Sequence, residues 1–199
     1  MTAIRVLAIS GSLRGGSHNT AALRAAAALA PADMEIEVRT LHGIPNFDAD
    51  LEKEPGPPPA VEQLKAAIAG ADALLIATPE YNRSIPGALK NALDWASRGG
   101  VSSPLWGKRA AILGAGGRFG TLSAQTHLRR ILQHCGVRVV DRPEVAIDQA
   151  ADRFDDDGGL TDERFRRQIQ RLLQALQEEV EGRIGGADRP SARHAAASL

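Results

Sequence analysis

The sequence holds a single cysteine and a single tyrosine in 199 residues, aromatics make up only 4%, and its charges cancel. Each scarcity removes a class of protein. Cys135 on its own cannot close a disulfide within the chain or supply a cysteine-based metal site, so a reducing compartment is expected. Lys+Arg and Asp+Glu stand at 24 each, so no net positive field recruits nucleic acid or an acidic membrane surface. No apolar run approaches the ~20 residues that cross a bilayer, and Arg5 sits inside the first apolar stretch, which breaks the order of a secretory signal. His18, His42, His127, His134 and His194 have no spacing that gathers ligands around a carboxylate, and Asp155, Asp156 and Asp157 are consecutive rather than alternating as a calcium loop requires. The expectation is a cytoplasmic protein that works on a small molecule, with no metal and with neither nucleic acid nor membrane as partner.

What is present is an ordinary globular composition, 43% hydrophobic, in a length that suits one core. Short apolar runs alternate with longer segments of helical period, the pattern of a parallel sheet covered on both faces. Residues 4–9, 71–77 and 110–113 are nearly continuous in apolar side chains and read as central strands. Residues 34–41 alternate with charge, and residues 137–140 are short and broken by Arg138, so both belong at sheet edges. Helical spacing predicts helices over 19–29, 60–68, 86–96, 121–135 and 165–180. The segment 45–59 is rich in proline and acid and reads as a surface loop. Periodicity is lost after Gly182, which leaves a domain over 1–182 and a disordered tail over 183–199.

With the alternating strands at the edges, the first strand must be internal, and an α/β sandwich with a five-stranded parallel sheet of order 2-1-3-4-5, flavodoxin-like, follows. Such a sheet binds its ligand beyond the carboxyl ends of strands 1 and 3, where the winding reverses.

Three loops leave the strands at that edge. The first, residues 10–19, combines Gly11, Gly15 and Gly16 with Ser12, Ser17, Asn19 and Arg14, and opens a helix. Flexible backbone, hydroxyl donors, a guanidinium and the positive end of a helix all suit a phosphate. The alternative is a glycine-rich turn with Ser17 as a plain helix cap. It is neither a Walker loop nor a hydrolase nucleophile elbow. The second loop, residues 78–87, is bracketed by Pro79 and Pro86, so it is stiff enough to offer backbone groups to the edge of a flat heterocycle, with Tyr81 as an aromatic ring beside it. Its bland reading is that Tyr81 packs over the loop and Glu80 is solvated. The third, residues 114–120, is nearly bare backbone. A dinucleotide fingerprint fits it poorly, because Phe119 occupies the place of the last glycine and the loop follows the fourth strand. Cys135 lies on the apolar stripe of its helix and reads as an inert core thiol.

The motifs Gly-Ser-Leu-Arg-x-x-Ser-x-Asn at 11–19, Pro-Glu-Tyr-Asn-x-Ser-x-Pro-Gly-x-Leu-Lys-Asn-Ala-x-Asp-Trp at 79–95, and Gly-Gly-Arg-Phe-Gly with Ala-Gln-x-x-Leu-Arg at 116–129 resemble the NADPH-dependent FMN reductase family, which includes quinone, chromate and azo-dye reductases. The likeness covers residues 4–180. It implies FMN held at its phosphate and ribityl chain by Ser12, Arg14, Ser17 and Asn19. Pro79, Glu80, Tyr81 and Asn82 would line the ring, with Gly116 and Gly117 nearby. It implies NADPH or NADH as reductant and a quinone-like, azo or metal-oxyanion acceptor. A homodimer or homotetramer is implied too, with Asn91, Asp94 and Trp95 close to subunit contacts. Since the flavin carries the chemistry, no catalytic acid, base or nucleophile is expected. The competing readings are a flavodoxin-type electron carrier, which the balanced charge disfavours, and a non-catalytic FMN- or nucleotide-sensing module on the same fold.

Overall fold

A computed structural model describes residues 3–54 and 56–185, with side chains to 182. In chain order the elements are β1 (Ile4–Ser10), α1 (His18–Ala28), β2 (Met34–Thr40), α2 (Ala49–Lys53), α3 (Pro59–Gly70), β3 (Ala73–Ala77), α4 (Gly87–Ala96), β4 (Arg109–Ala115), α5 (Leu122–His134), β5 (Arg138–Val139), β6 (Val145–Ile147) and α6 (Glu163–Gly185). All strand pairs are parallel and the order is β2-β1-β3-β4-β5. The expected winding is therefore present, with its reversal between β1 and β3.

Strand alternation divides the core into two layers. Val6 and Ala8 of β1, Leu75 and Ala77 of β3, and Leu113 and Ala115 of β4 face α1 and α6. Leu7, Ile9, Leu74, Ile76, Ala110 and Ile112 face α3, α4 and α5. Because both faces of the central strands are covered, β3 and β4 are buried along their whole length, which accounts for their unbroken apolar runs. On β2 only Met34 is fully buried, as its charged alternation implies.

Two expectations are corrected. The last strand does not end at Val140: a sixth strand, β6, lies further along the same free edge of β4. β5 pairs with Arg109 and Ala110, and β6 with Leu113, Gly114 and Ala115. Pro143 lies between them and has no N–H to give to a ladder, so the edge is interrupted there and resumes at Val145. The segment 45–59 is also not entirely loop: it contains the single turn α2, where the Asp48 carboxylate accepts from the Asp50 N–H at 2.9 Å. The final helix extends to Gly185, and the expected tail beyond it lies outside the described residues.

Candidate functional site

β1, β3 and β4 are neighbours, so the three loops at their carboxyl ends emerge side by side. Backbone hydrogen bonds join them at the root: Gly11 N–H to the Ala77 carbonyl at 2.8 Å, and Thr78 N–H to the Leu113 carbonyl at 3.0 Å. A Cβ on Gly11 would stand 3.1 Å from the Ala77 carbonyl oxygen, so glycine lets the first loop pass this close to the end of β3.

In the first loop, Ser12 and Ser17 are buried. Ser12 Oγ accepts from Arg14 N–H at 3.3 Å, and Ser17 Oγ caps α1 by accepting from the N–H groups of Asn19 and Thr20. The buried pair Ser10 Oγ and Thr20 Oγ1, 2.8 Å apart, ties the end of β1 to α1. Among the described residues, the backbone N–H groups of Leu13, Gly15, Gly16 and His18 have no acceptor. They line one short bend ahead of a helix, with open space at Gly15 and Gly16, and they suit an anion of several acceptor oxygens. Arg14 is exposed and donates to the Gly16 carbonyl at 2.6 Å, which keeps its guanidinium beside the bend.

Asn19 differs from the sequence expectation in what it touches. Its amide donates to the Ala115 carbonyl at 2.8 Å and accepts from the Ala115 N–H at 2.9 Å. It is 4% exposed. The side chain joins the first loop to the third, with one N–H and one lone pair of its amide engaged by protein.

In the second loop Pro79 is buried and Tyr81 is 57% exposed. Glu80 is not merely solvated: its carboxylate accepts from the Ala124 N–H at 3.0 Å, in the first turn of α5, where the helix dipole favours a negative group. Tyr81 and Ser84 exchange both backbone hydrogen bonds, at 3.0 and 2.9 Å. Between them Asn82 and Arg83 have φ of 51° and 65°, the left-handed pair that defines a type I′ turn. Asparagine tolerates that conformation, whereas an arginine there costs about 1–2 kcal/mol. The turn is held from α5 as well, by the 3.0 Å hydrogen bond between Ser84 Oγ and His127 Nδ1.

In the third loop Gly116 is half-buried and Gly117 is exposed. Gly116 is clamped by the 145–150 segment, donating to Ile147 and accepting from Ala150, while Gly117 accepts from Gln149. A Cβ at Gly114 would overlap Thr121 Oγ1, so the exit from β4 requires glycine. Phe119 is 67% exposed with Arg118 lying 5.3 Å above its ring. A ring that open on the third loop, like Tyr81 on the second, leaves aromatic surface for a planar ligand. Local reading of the sequence does not reveal the support from β6, the Glu80 cap, or the left-handed Arg83. Each depends on residues brought together by the fold.

The resemblance placed Asn91, Asp94 and Trp95 near subunit contacts. Within one chain Asn91 and Trp95 are engaged with residues 45–47: Asn91 Nδ2 and Trp95 Nε1 both donate to the Pro45 carbonyl at 2.8 Å, and Trp95 is fully buried. Asp94 pairs with Lys90.

The family of NADPH-dependent FMN reductases matches residues 4–152. This chain belongs to that family. It is 53% identical to an NAD(P)H-dependent FMN reductase of Pseudomonas aeruginosa over 87% of this chain and 94% of that one. It is 39% identical to a 2-hydroxy-1,4-benzoquinone reductase of a Burkholderia species, over 86% and 93%. Among solved structures, the flavoenzyme NAD(P)H:(acceptor) oxidoreductase FerB from Paracoccus denitrificans superposes with a TM-score of 0.80 at 35% identity, covering 90% of this chain and 98% of that one. The chain is accordingly an FMN-dependent NAD(P)H oxidoreductase, and its residues fit that cofactor. The unpaired N–H groups of the first bend and Arg14 match a phosphate, and the stiff second loop with its exposed ring matches a flat tricycle. Among the described residues no helix is long and apolar enough to cross a membrane, and no cluster of histidine, cysteine and carboxylate side chains is placed to hold a metal.

Proposed function

We propose that FMN lies across the three loops, its phosphate in the bend of residues 12–18 and its ring against Pro79–Asn82 and Gly116–Gly117, and that the acceptor is a quinone-like molecule. The observation carrying this reading is that backbone donors without a protein acceptor lie on all three loops at one sheet edge: Leu13, Gly15, Gly16 and His18 on the first, Glu80 and Asn82 on the second, Gly117 and Arg118 on the third. Bound FMN supplies a centre that accepts hydride from NADPH or NADH and gives it up again. The protein's part is to hold and polarise. The first bend and Arg14 neutralise the phosphate, and the second and third loops aim N–H groups at the ring edge where negative charge grows. Pro79 and the Tyr81–Ser84 turn keep the second loop stiff. Ser12 and Ser17 shape the bend, and Asn19 acts through the Ala115 bridge.

A quinone is favoured over azo or metal-oxyanion acceptors because aromatic surface at Tyr81 and Phe119 suits stacking by a flat molecule, and because quinones are the substrates named for several relatives. We further propose a single FMN-binding domain over 1–182 that works in the cytoplasm, where nicotinamide reductant is supplied, as a homodimer or homotetramer. The test is an absorption spectrum of purified protein before and after NADPH. The expected result is a flavin band that bleaches without any partner protein and returns on adding a quinone. A protein that stays colourless with FMN present contradicts the site, and one that binds FMN without bleaching is a carrier or sensor.

A further inference from the structure

The fold imposes the backbone conformation of Arg83 but does not explain why the residue there is an arginine. The second central position of a type I′ turn is glycine's natural place, yet an arginine stands there at φ 65°. The turn cannot relax to suit it. The Tyr81–Ser84 bonds close it, Ser84 is held by His127, and the adjacent Glu80 is held by the Ala124 N–H. Nor does the side chain find an internal partner: Arg83 is exposed and makes no hydrogen bond or ion pair with any described residue. The chain's overall charge balance does not extend to these three loops. The three loops carry Arg14, Arg83 and Arg118 against one carboxylate, Glu80, which is already engaged.

These observations leave the Arg83 guanidinium available to an anion from outside. That anion is not the FMN phosphate, whose site in the reading above is the bend of residues 12–18, with Arg14 beside it. Arg83 stands at the ring end instead, beside Tyr81, where the second reactant must dock. We propose that Arg83 is a specificity-determining residue that captures a phosphate group of the incoming nicotinamide dinucleotide, its fork geometry matching phosphate oxygens. Two phosphates share this chemistry: the 2′-phosphomonoester found only on NADPH, and the pyrophosphate common to NADPH and NADH. The inference rests on the proposed FMN placement.

The experiment compares the FMN-loaded protein with its Arg83→Gly and Arg83→Lys variants. KM is measured for NADPH and NADH, and binding of 2′,5′-ADP and ADP is followed by calorimetry without turnover. Arg83→Gly is expected to raise the NADPH KM about tenfold with kcat unchanged, and Arg83→Lys to recover part of the loss. A rise for NADPH alone, with weaker 2′,5′-ADP binding, identifies the 2′-phosphate. An equal rise for both, with weaker ADP binding, identifies the pyrophosphate. Melting of the cofactor-free variant supplies a second readout. Glycine relieves the left-handed strain while loosening the unfolded chain, so stability is retained or gained. Unchanged KM values with both nucleotides, or a melting point several degrees lower, overturn the proposal. If the parent neither binds FMN nor oxidises NADPH, the functional reading itself has failed, a result distinct from an active parent whose variant behaves identically.

Discussion

Replacing Asn19 with alanine tests whether the phosphate loop is held in place by protein or by its ligand. Asn19 makes two short hydrogen bonds to the backbone of Ala115, and both residues are 4% exposed. The substitution leaves one N–H and one carbonyl without their partner in a site closed to bulk water. Each such loss costs about 1–3 kcal/mol. Together, with partial relaxation of a loop close to the surface, they amount to about 2–4 kcal/mol, a large share of the roughly 5–15 kcal/mol that holds a domain folded. For a chain of this size a loss near the middle of that range lowers the melting temperature by roughly 6–12 °C. The assay is urea and thermal unfolding of the cofactor-free protein, followed by FMN titration. The expected outcome is a lower midpoint with an unchanged urea slope, and weaker FMN binding as a consequence of the loosened loop. If the cofactor-free variant is as stable as its parent while FMN affinity collapses, then Asn19 serves the cofactor directly and the bridge to Ala115 is incidental.

Arg14→Ala should weaken FMN binding about tenfold in a fluorescence titration and leave unfolding unchanged, because the guanidinium is exposed and its one protein contact is the neighbouring Gly16 carbonyl. Equal affinity would remove Arg14 from the phosphate site. Gly116→Ala and Gly117→Ala should diverge. A Cβ at Gly116 stands 2.5 Å from the Gly120 carbonyl oxygen and costs about 1–3 kcal/mol, whereas Gly117 has open space and changes stability little. Matching melting curves for the two would refute the third-loop geometry. Burial, reinforced by the Asp94 carboxylate, pushes the Cys135 thiol above its ordinary 9.0. A raised folded pKa favours the native state fully at pH below the unfolded value and loses that advantage as pH rises through the folded one. Stability of the parent should therefore fall on the alkaline side of pH 9, more steeply than in Cys135→Ala. Curves that coincide would contradict the assignment.

Much of this protein can be read locally. The apolar runs of β1, β3 and β4 announce strands buried on both faces, the charged alternation of β2 marks an edge, and together they fix the strand order and the end of the sheet where loops matter. Ser17 as a cap follows from its place before an alanine-rich helix. What escapes a local reading depends on partners distant in sequence. The Asn19 bridge spans 96 residues and the Glu80 cap spans 44, so neither side chain advertises its role by spacing. β6 is three residues long and is specified by the free edge of β4 more than by its own composition. α2 is a single capped turn, too short for periodicity to detect. The left-handed Arg83 runs against local propensity, since turn chemistry favours glycine there, and its conformation is imposed by the strand-like Tyr81–Ser84 pair and by α5.

The account stands on where the flavin lies, and a crystal structure of the protein grown with FMN measures that directly. The phosphate is expected within hydrogen-bonding distance of the backbone N–H groups of residues 13–18, with the ring over the Pro79–Asn82 loop. A flavin seated elsewhere, or one whose phosphate points away from that bend, would contradict it.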